Sequence, residues 1–264
     1  MLDETGKARS TPPQGLRTKF AAPVYDAPAM ALAYLDRRAL ETRGREARER
    51  YLAARPFPHF VFDDFLPADL AKTLALEFPA PAHPGWKRRD HAEQRARLGQ
   101  LGRTGFADVA PVVRHVLAEL CGMAFLDFLG ALTGIEGLIA DPHFSGAGPS
   151  ITLPGGHLAL HADFNRDRRR HLARTVTVLL YIGLEWEPAW GGDLELWNRD
   201  RTACEARIAP RPNRLAVLAH GDDFWHGHPA PLACPTDRHR ASIASYYYVA
   251  GGADADAHSA IWAG

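Results

Sequence analysis

The sequence predicts an α+β fold, a single β-sandwich or barrel buttressed by helices from the first half of the chain. Two observations carry this. Residues 28–134 place apolar side chains at helical intervals, whereas from about residue 137 the chain breaks into short apolar runs separated by Gly, Pro, Asn and Asp. Neither an internal repeat nor a linker-like stretch divides the 264 residues, a length that one large β-domain commonly reaches. The expected organisation is a flexible arm over 1–27 and one domain over 28–264, with a helical buttress at 28–134 and a β core at 137–250.

The elements follow in order. The arm is polar and carries Pro12, Pro13 and Pro23, so it has little apolar surface to offset the entropy of ordering. A long helix is expected from Pro28 to about Ala54: Met30, Leu32, Leu35 and Leu40 start its apolar stripe, and the charge-rich middle, Arg37 to Arg50, is a solvated face. Phe60-Val61-Phe62 suits a short strand, and Pro67 opens a helix over 68–78, where the missing proline N–H costs no hydrogen bond. Residues 79–106 mix Pro, Gly and basic side chains, Arg89, Arg95 and Arg97 among them, and are expected to form an irregular lid. Gly122 splits or kinks the apolar stretch 109–134. Beyond it the runs 138–140, 157–163, 175–183, 193–197, 206–209, 214–219 and 240–250 are spaced like the strands of a sandwich or barrel.

Bulk composition narrows the class of partner. Lys+Arg and Asp+Glu both total 31, so no net charge favours nucleic acid or an anionic membrane. Cys121, Cys204 and Cys234 are odd in number and far apart, which suits a reducing compartment rather than a disulfide framework. No basic-then-apolar leader opens the chain, and the most apolar run, Val176 to Leu184, is far shorter than the ~20 residues needed to span a bilayer. The expectation is a soluble, cytoplasmic protein.

The chemistry centres on Gly155-Gly156-His157-Leu158-Ala159-Leu160-His161-Ala162-Asp163. In a strand, His161 and Asp163 project from the same face. An imidazole beside a carboxylate is two-thirds of a 2-His-1-carboxylate site, which holds iron(II) and leaves coordination positions open. Three later segments add to it. Thr175 to Tyr181 is a buried strand ending in a tyrosine; Trp190-Gly191-Gly192-Asp193-Leu194-Glu195-Leu196 turns into another strand; Trp225-His226-Gly227-His228-Pro229 precedes Arg240-Ala241-Ser242, with Arg240 and Ser242 on one face. His226 and His228 have the same strand parity, so either could point inward. His157 suits a structural or wall position, and His171, His220 and His239 suit the surface.

In this order, His-x-Asp, the strand-end Tyr, Gly-Gly-x-Leu-x-Leu, His-Gly and Arg-x-Ser resemble the iron(II)- and 2-oxoglutarate-dependent oxygenases, and the prolyl-4-hydroxylase-like branch in particular. Pro56-Phe57-Pro58-His59 and the Phe60–Pro67 segment extend the resemblance over residues 56–250. It implies a double-stranded β-helix with His161, Asp163 and His226 as iron ligands, His226 being preferred because it supplies the His-Gly and Pro229 bends the chain beyond His228. It also implies that Arg240 takes the far carboxylate of 2-oxoglutarate, with Tyr181 and Ser242 as hydroxyl donors; O2 is the co-reactant, and there is room for ascorbate. The implied enzyme is a dioxygenase hydroxylating a small-molecule or amino-acid-derived substrate with release of succinate and CO2. The alternatives are a prolyl or other residue hydroxylase acting on a protein or peptide, and a non-catalytic metal- or ligand-binding β-helix. A halogenase is disfavoured because Asp163 occupies the position chloride needs.

Overall fold

The computed structural model describes residues 34–99, 109–251 and 257–263. The expected arm and the first residues of the expected long helix lie outside them. Helix α1 runs Arg37–Ala53, and Asp36 caps it by accepting a hydrogen bond from the Ala39 amide at 2.7 Å. Tyr34 and Leu35 therefore precede the helix rather than belong to it, because an N-cap residue keeps extended backbone. Leu40, Gly44, Ala47 and Tyr51 form its buried stripe. Helix α2 is Ala68–Glu77, α3 is Pro111–Cys121 and α4 is Met123–Thr133, the last two bent by 47° at Gly122. Among the described residues no single helix is long and apolar enough to cross a membrane.

The strands are β1 His59–Phe62, β2 Lys87–His91, β3 Gln94–Gly99, β4 Ile139–Ala140, β5 Gly148–Ala162, β6 Arg166–Asp167, β7 Leu172–Ile182, β8 Leu194–Trp197, β9 Cys204–Ile208, β10 Leu215–Ala219, β11 His226–His228, β12 Arg240–Ala250 and β13 Ile261–Trp262. Neighbouring strands pair antiparallel in the order β1-β10-β7-β12-β5-β11-β8-β9. Strand β5 folds this sheet over on itself. Its first part, residues 148–152, pairs with β12, and its last part pairs with β11, His161 lying opposite His226. Pro154-Gly155-Gly156 separates the two parts. The result is a double-stranded β-helix.

One face of the first layer carries the helices. Val176, Val178 and Leu180 of β7, with Leu215, Val217, Ile243 and Tyr247, pack against Phe125, Phe128, Leu129 and Leu132 of α4 in one core cluster. Each such aliphatic side chain contributes about 1.5–3 kcal/mol on burial. The alternate residues of β7, Thr177, Leu179 and Tyr181, face the interior of the β-helix, because side chains reverse direction at each strand position. Both faces of β7 are covered, which is why its sequence reads as an almost unbroken apolar run.

Two expectations are corrected here. Part of the 79–106 segment is a regular hairpin, with β2 paired to β3 and β3 added to the free side of β5; residues 100–108 lie outside the described chain. Its basic side chains hid the pattern, since a strand that covers a polar cavity has no apolar alternation. His220 is not a surface residue: its side chain is only 6% exposed, and burial, followed by the charge of Arg174, lowers it to about 4.

Candidate active site

Strand β5 carries His161 one residue before its end and Asp163 follows directly after the strand, while β11 brings His226 directly opposite His161. One donor atom from each of the three lies within 4.8 Å of the others. His161 Nε2 is 3.5 Å from Asp163 Oδ1, and His226 Nε2 is 3.5 Å from Asp163 Oδ2. Each imidazole is oriented by its own strand: His161 Nδ1 lies 3.0 Å from the Ala159 carbonyl and His226 Nδ1 lies 2.9 Å from the Phe224 carbonyl. Donation through Nδ1–H fixes the tautomer and leaves the Nε2 lone pair facing the carboxylate. Burial, then the neighbouring His226, lowers His161, which keeps it neutral as a metal ligand must be. Two neutral imidazoles and one carboxylate are the donor set that suits non-haem iron(II) with open positions.

Burial opposes ionisation of Asp163, but the charge of Arg174 and the two histidines outweigh it and hold the carboxyl well below the usual carboxylate range. Arg174 projects from β7, donates from Nη2 to Asp163 Oδ2 at 2.5 Å and to Thr177 Oγ1 at 2.8 Å, and has a side chain with no exposed surface. Its guanidinium carbon lies 3.4 Å from the centre of the Tyr246 ring, a cation–π contact that fixes the fork in place. None of the sequence motifs includes Arg174. The available signal was a lone charge near the head of an otherwise buried apolar strand.

Asp163, His161 and His226 line a cavity of about 260 Å³ that also receives Arg97, His228, Arg240, Ser242 and Trp262. Arg240 is buried, donating from Nε to the Gly192 carbonyl at 2.9 Å and from Nη2 to the Tyr181 hydroxyl at 3.1 Å. Gly192 holds φ +78°, and a Cβ there would stand 3.2 Å from Arg240 Cδ, so the paired glycines let the backbone approach the guanidinium. Ser242 also lines the cavity and lies 3.1 Å from Ser150 through their hydroxyls. Tyr181 is wholly buried and is not among the lining residues; its hydroxyl reaches the cavity through Arg240. Gly227 is fixed by close packing, since a Cβ there would lie 2.7 Å from the Ala159 carbonyl oxygen.

His226 and His228 both line the cavity, but an irregularity in β11 separates them: His226 lies opposite His161 and His228 opposite Leu158. Only His226 shares the cluster of donors. His157 instead has its Nε2 3.1 Å from the Ala92 carbonyl in the hairpin turn. Trp262, which no sequence motif announced, pairs with His161 through β13 and lies 5.1 Å from its ring.

Prolyl hydroxylases are among the solved structures with this fold. A Pseudomonas putida prolyl-4-hydroxylase superposes with a TM-score of 0.52 at 20% identity, covering 80% of this chain and 99% of that one. A Trichoplax adhaerens prolyl hydroxylase, solved with a hypoxia-inducible-factor peptide fragment, gives 0.53 at 14% identity, covering 80% and 91%. One from Phytophthora capsici gives 0.57 at 14% identity, covering 86% and 69%. At these identities the likeness is one of fold. No curated protein matches the sequence. The family model of the 2OG-Fe(II) oxygenase superfamily matches residues 149–248, the stretch that runs from the start of β5 nearly to the end of β12 and carries all three converging donors and Arg240. Through that segment the chain is similar to the 2OG-Fe(II) oxygenase superfamily.

Proposed function

We propose that this Fe(II)- and 2-oxoglutarate-dependent dioxygenase hydroxylates a small-molecule or amino-acid-derived substrate, releasing succinate and CO2, with His161, Asp163 and His226 as the iron ligands. The observation that carries the site assignment is the convergence of those three donors in one cavity with a buried, carboxylate-free arginine, Arg240. Iron(II), when bound, supplies the O2 chemistry that no side chain can perform. The protein orients its ligands: own-strand carbonyls set both imidazole tautomers, and Arg174 keeps Asp163 ionised and fixed. Arg240 presents a planar fork suited to a carboxylate, and Tyr181 and Gly192 hold that fork from behind. The β2–β3 hairpin covers the cavity beside β5 and limits access by water.

The modest volume of the cavity, about 260 Å³, favours a small substrate beside the cosubstrate. A residue hydroxylase acting on a peptide is the second reading, supported by the peptide-bound Trichoplax structure. Three unpaired cysteines support a reducing, cytoplasmic setting. The test is succinate formation from 2-oxoglutarate by the Fe(II)-loaded protein in air, with small acids and amino acids compared against proline-containing peptides. Absence of Fe(II)-dependent succinate formation, or full activity in Asp163→Ala, overturns the assignment.

A further inference from the structure

The cavity holds more positive charge than the chemistry just described uses. Arg97 lies opposite Thr152 across the β3–β5 ladder, and Arg240 lies opposite the same Thr152 across the β12–β5 ladder. Two guanidinium groups thus enter one cavity from the two sides of a single strand. Among the described residues Arg97 Nη1 reaches Gln94 Oε1, at 3.3 Å, and its buried Nε has no hydrogen-bond partner. Burial, then the charge of Arg240, lowers Arg97 to about 10, so it remains a cation at neutral pH, and no described residue is its counter-ion. Asp163 is the one acid among the described lining residues, and Arg174 already engages it.

A second observation points the same way. His228, only 2% exposed, lines this cavity, and both its ring nitrogens are buried without a partner. It lies opposite Leu158 from β11, and Gln94 lies opposite the same residue from β3. Buried polar atoms are ordinarily satisfied, and an unpaired buried charge is costly. Among the described residues none supplies a partner for Arg97 Nε or for His228, which leaves that place to a bound molecule.

Charge decides what that molecule carries. With iron(II) and the 2-oxoglutarate dianion in place, the negative charges among the described residues and the cosubstrate are those of 2-oxoglutarate and Asp163, three in all; the metal, Arg89, Arg97, Arg174 and Arg240 supply six positive ones. The excess calls for a further anion. We propose that Arg97 holds a carboxylate of the primary substrate, with His228 as a second polar contact, so that the substrate is a small organic acid or an amino acid with its carboxylate free. This deepens the function proposed above and rests on it. It also gives the hairpin a role, because Arg97 reaches the cavity only if β3 is docked on β5.

The probes are isobutyrate and its neutral isostere isobutyramide, titrated calorimetrically into Mn(II)-loaded protein saturated with 2-oxoglutarate, with Tm as a second readout. The expected result is binding of the acid about tenfold or more tighter than the amide, as for a hydrogen bond to a charged group. Arg97→Gln should erase that preference, and Arg97→Lys should retain part of it because the charge survives while the fork is lost. Equal binding of acid and amide, or no binding of either, overturns the proposal. So does a loss of 2-oxoglutarate affinity in Arg97→Gln as large as that in Arg240→Gln, which would assign Arg97 to the cosubstrate. Failure of the wild-type protein to bind 2-oxoglutarate at all would instead overturn the function on which the subsite rests.

Discussion

Replacing Arg174 by methionine removes the charge that holds Asp163 while keeping an unbranched apolar stem between Phe164 and Tyr246. The Arg174 side chain has no exposed surface and that of Asp163 is 12% exposed, so solvent screens the pair little. Breaking a buried pair by removing one partner costs about 3–5 kcal/mol, mostly because the other charge is left uncompensated. At about 2–4 °C per kcal/mol for a chain of this size, the metal-free protein should lose about 6–20 °C in Tm. Divalent metal replaces the missing positive charge, so Mn(II) should restore much of the loss, and the variant should gain more from metal than the wild type. The pH dependence has a defined sign. The folded-state carboxyl of Asp163 lies below its ordinary value, so its contribution is fully present above the unfolded pKa of about 4 and is lost as pH falls through the folded value. The wild-type advantage over Arg174→Met should therefore hold near neutrality and shrink as the solution is acidified below about pH 4. The assay is thermal unfolding of both proteins, with and without Mn(II), across that range. A loss of Tm that metal does not reduce, or a gap that widens on acidification, would refute the view that Arg174 acts through the charge of Asp163.

Other outcomes follow from the same geometry. His226→Ala should lose iron binding and succinate formation, whereas His228→Ala should keep iron, measured by metal content after desalting; the reverse pattern would mean that the donors in β11 are misassigned. Arg240→Ala should raise the KM for 2-oxoglutarate steeply and Arg240→Lys less so, because lysine lacks the fork. Tyr181→Phe removes one hydrogen bond to Arg240, worth about 1.5–3 kcal/mol if fully expressed, and should affect the same KM more mildly; an effect on metal content instead would contradict its position behind Arg240. Gly227→Ala should destabilise the protein and weaken metal binding together, because its Cβ would stand 2.7 Å from the Ala159 carbonyl oxygen and push β11 from β5; normal Tm and metal content would count against that packing.

Much of this protein was written locally. The apolar spacing of residues 109–134 specified helix, split or kinked at Gly122, and the period of the later runs specified strands, because each pattern depends on neighbours a few residues away. His161 and Asp163 could be paired from sequence for the same reason: two-residue spacing in a strand is a local rule. The sequence also supplied His226, Arg240 and Ser242 as candidates, through the order of short motifs. What it left open depended on which strands meet. His226 and His228 have equal parity, and only the irregular register of β11 against β5 separates the one opposite His161 from the one opposite Leu158. Arg174 belongs to no sequence motif, and only β7 places it, buried, against Asp163. Arg97 looked like part of a solvated lid until β3 docked on β5 and aimed it at the cavity. Trp262 reached His161 only through a strand about one hundred residues further along the chain. Charge pairing and cavity lining are relations between distant segments, and strand register, which fixes them, is settled only when the sheet folds onto itself and buries one face.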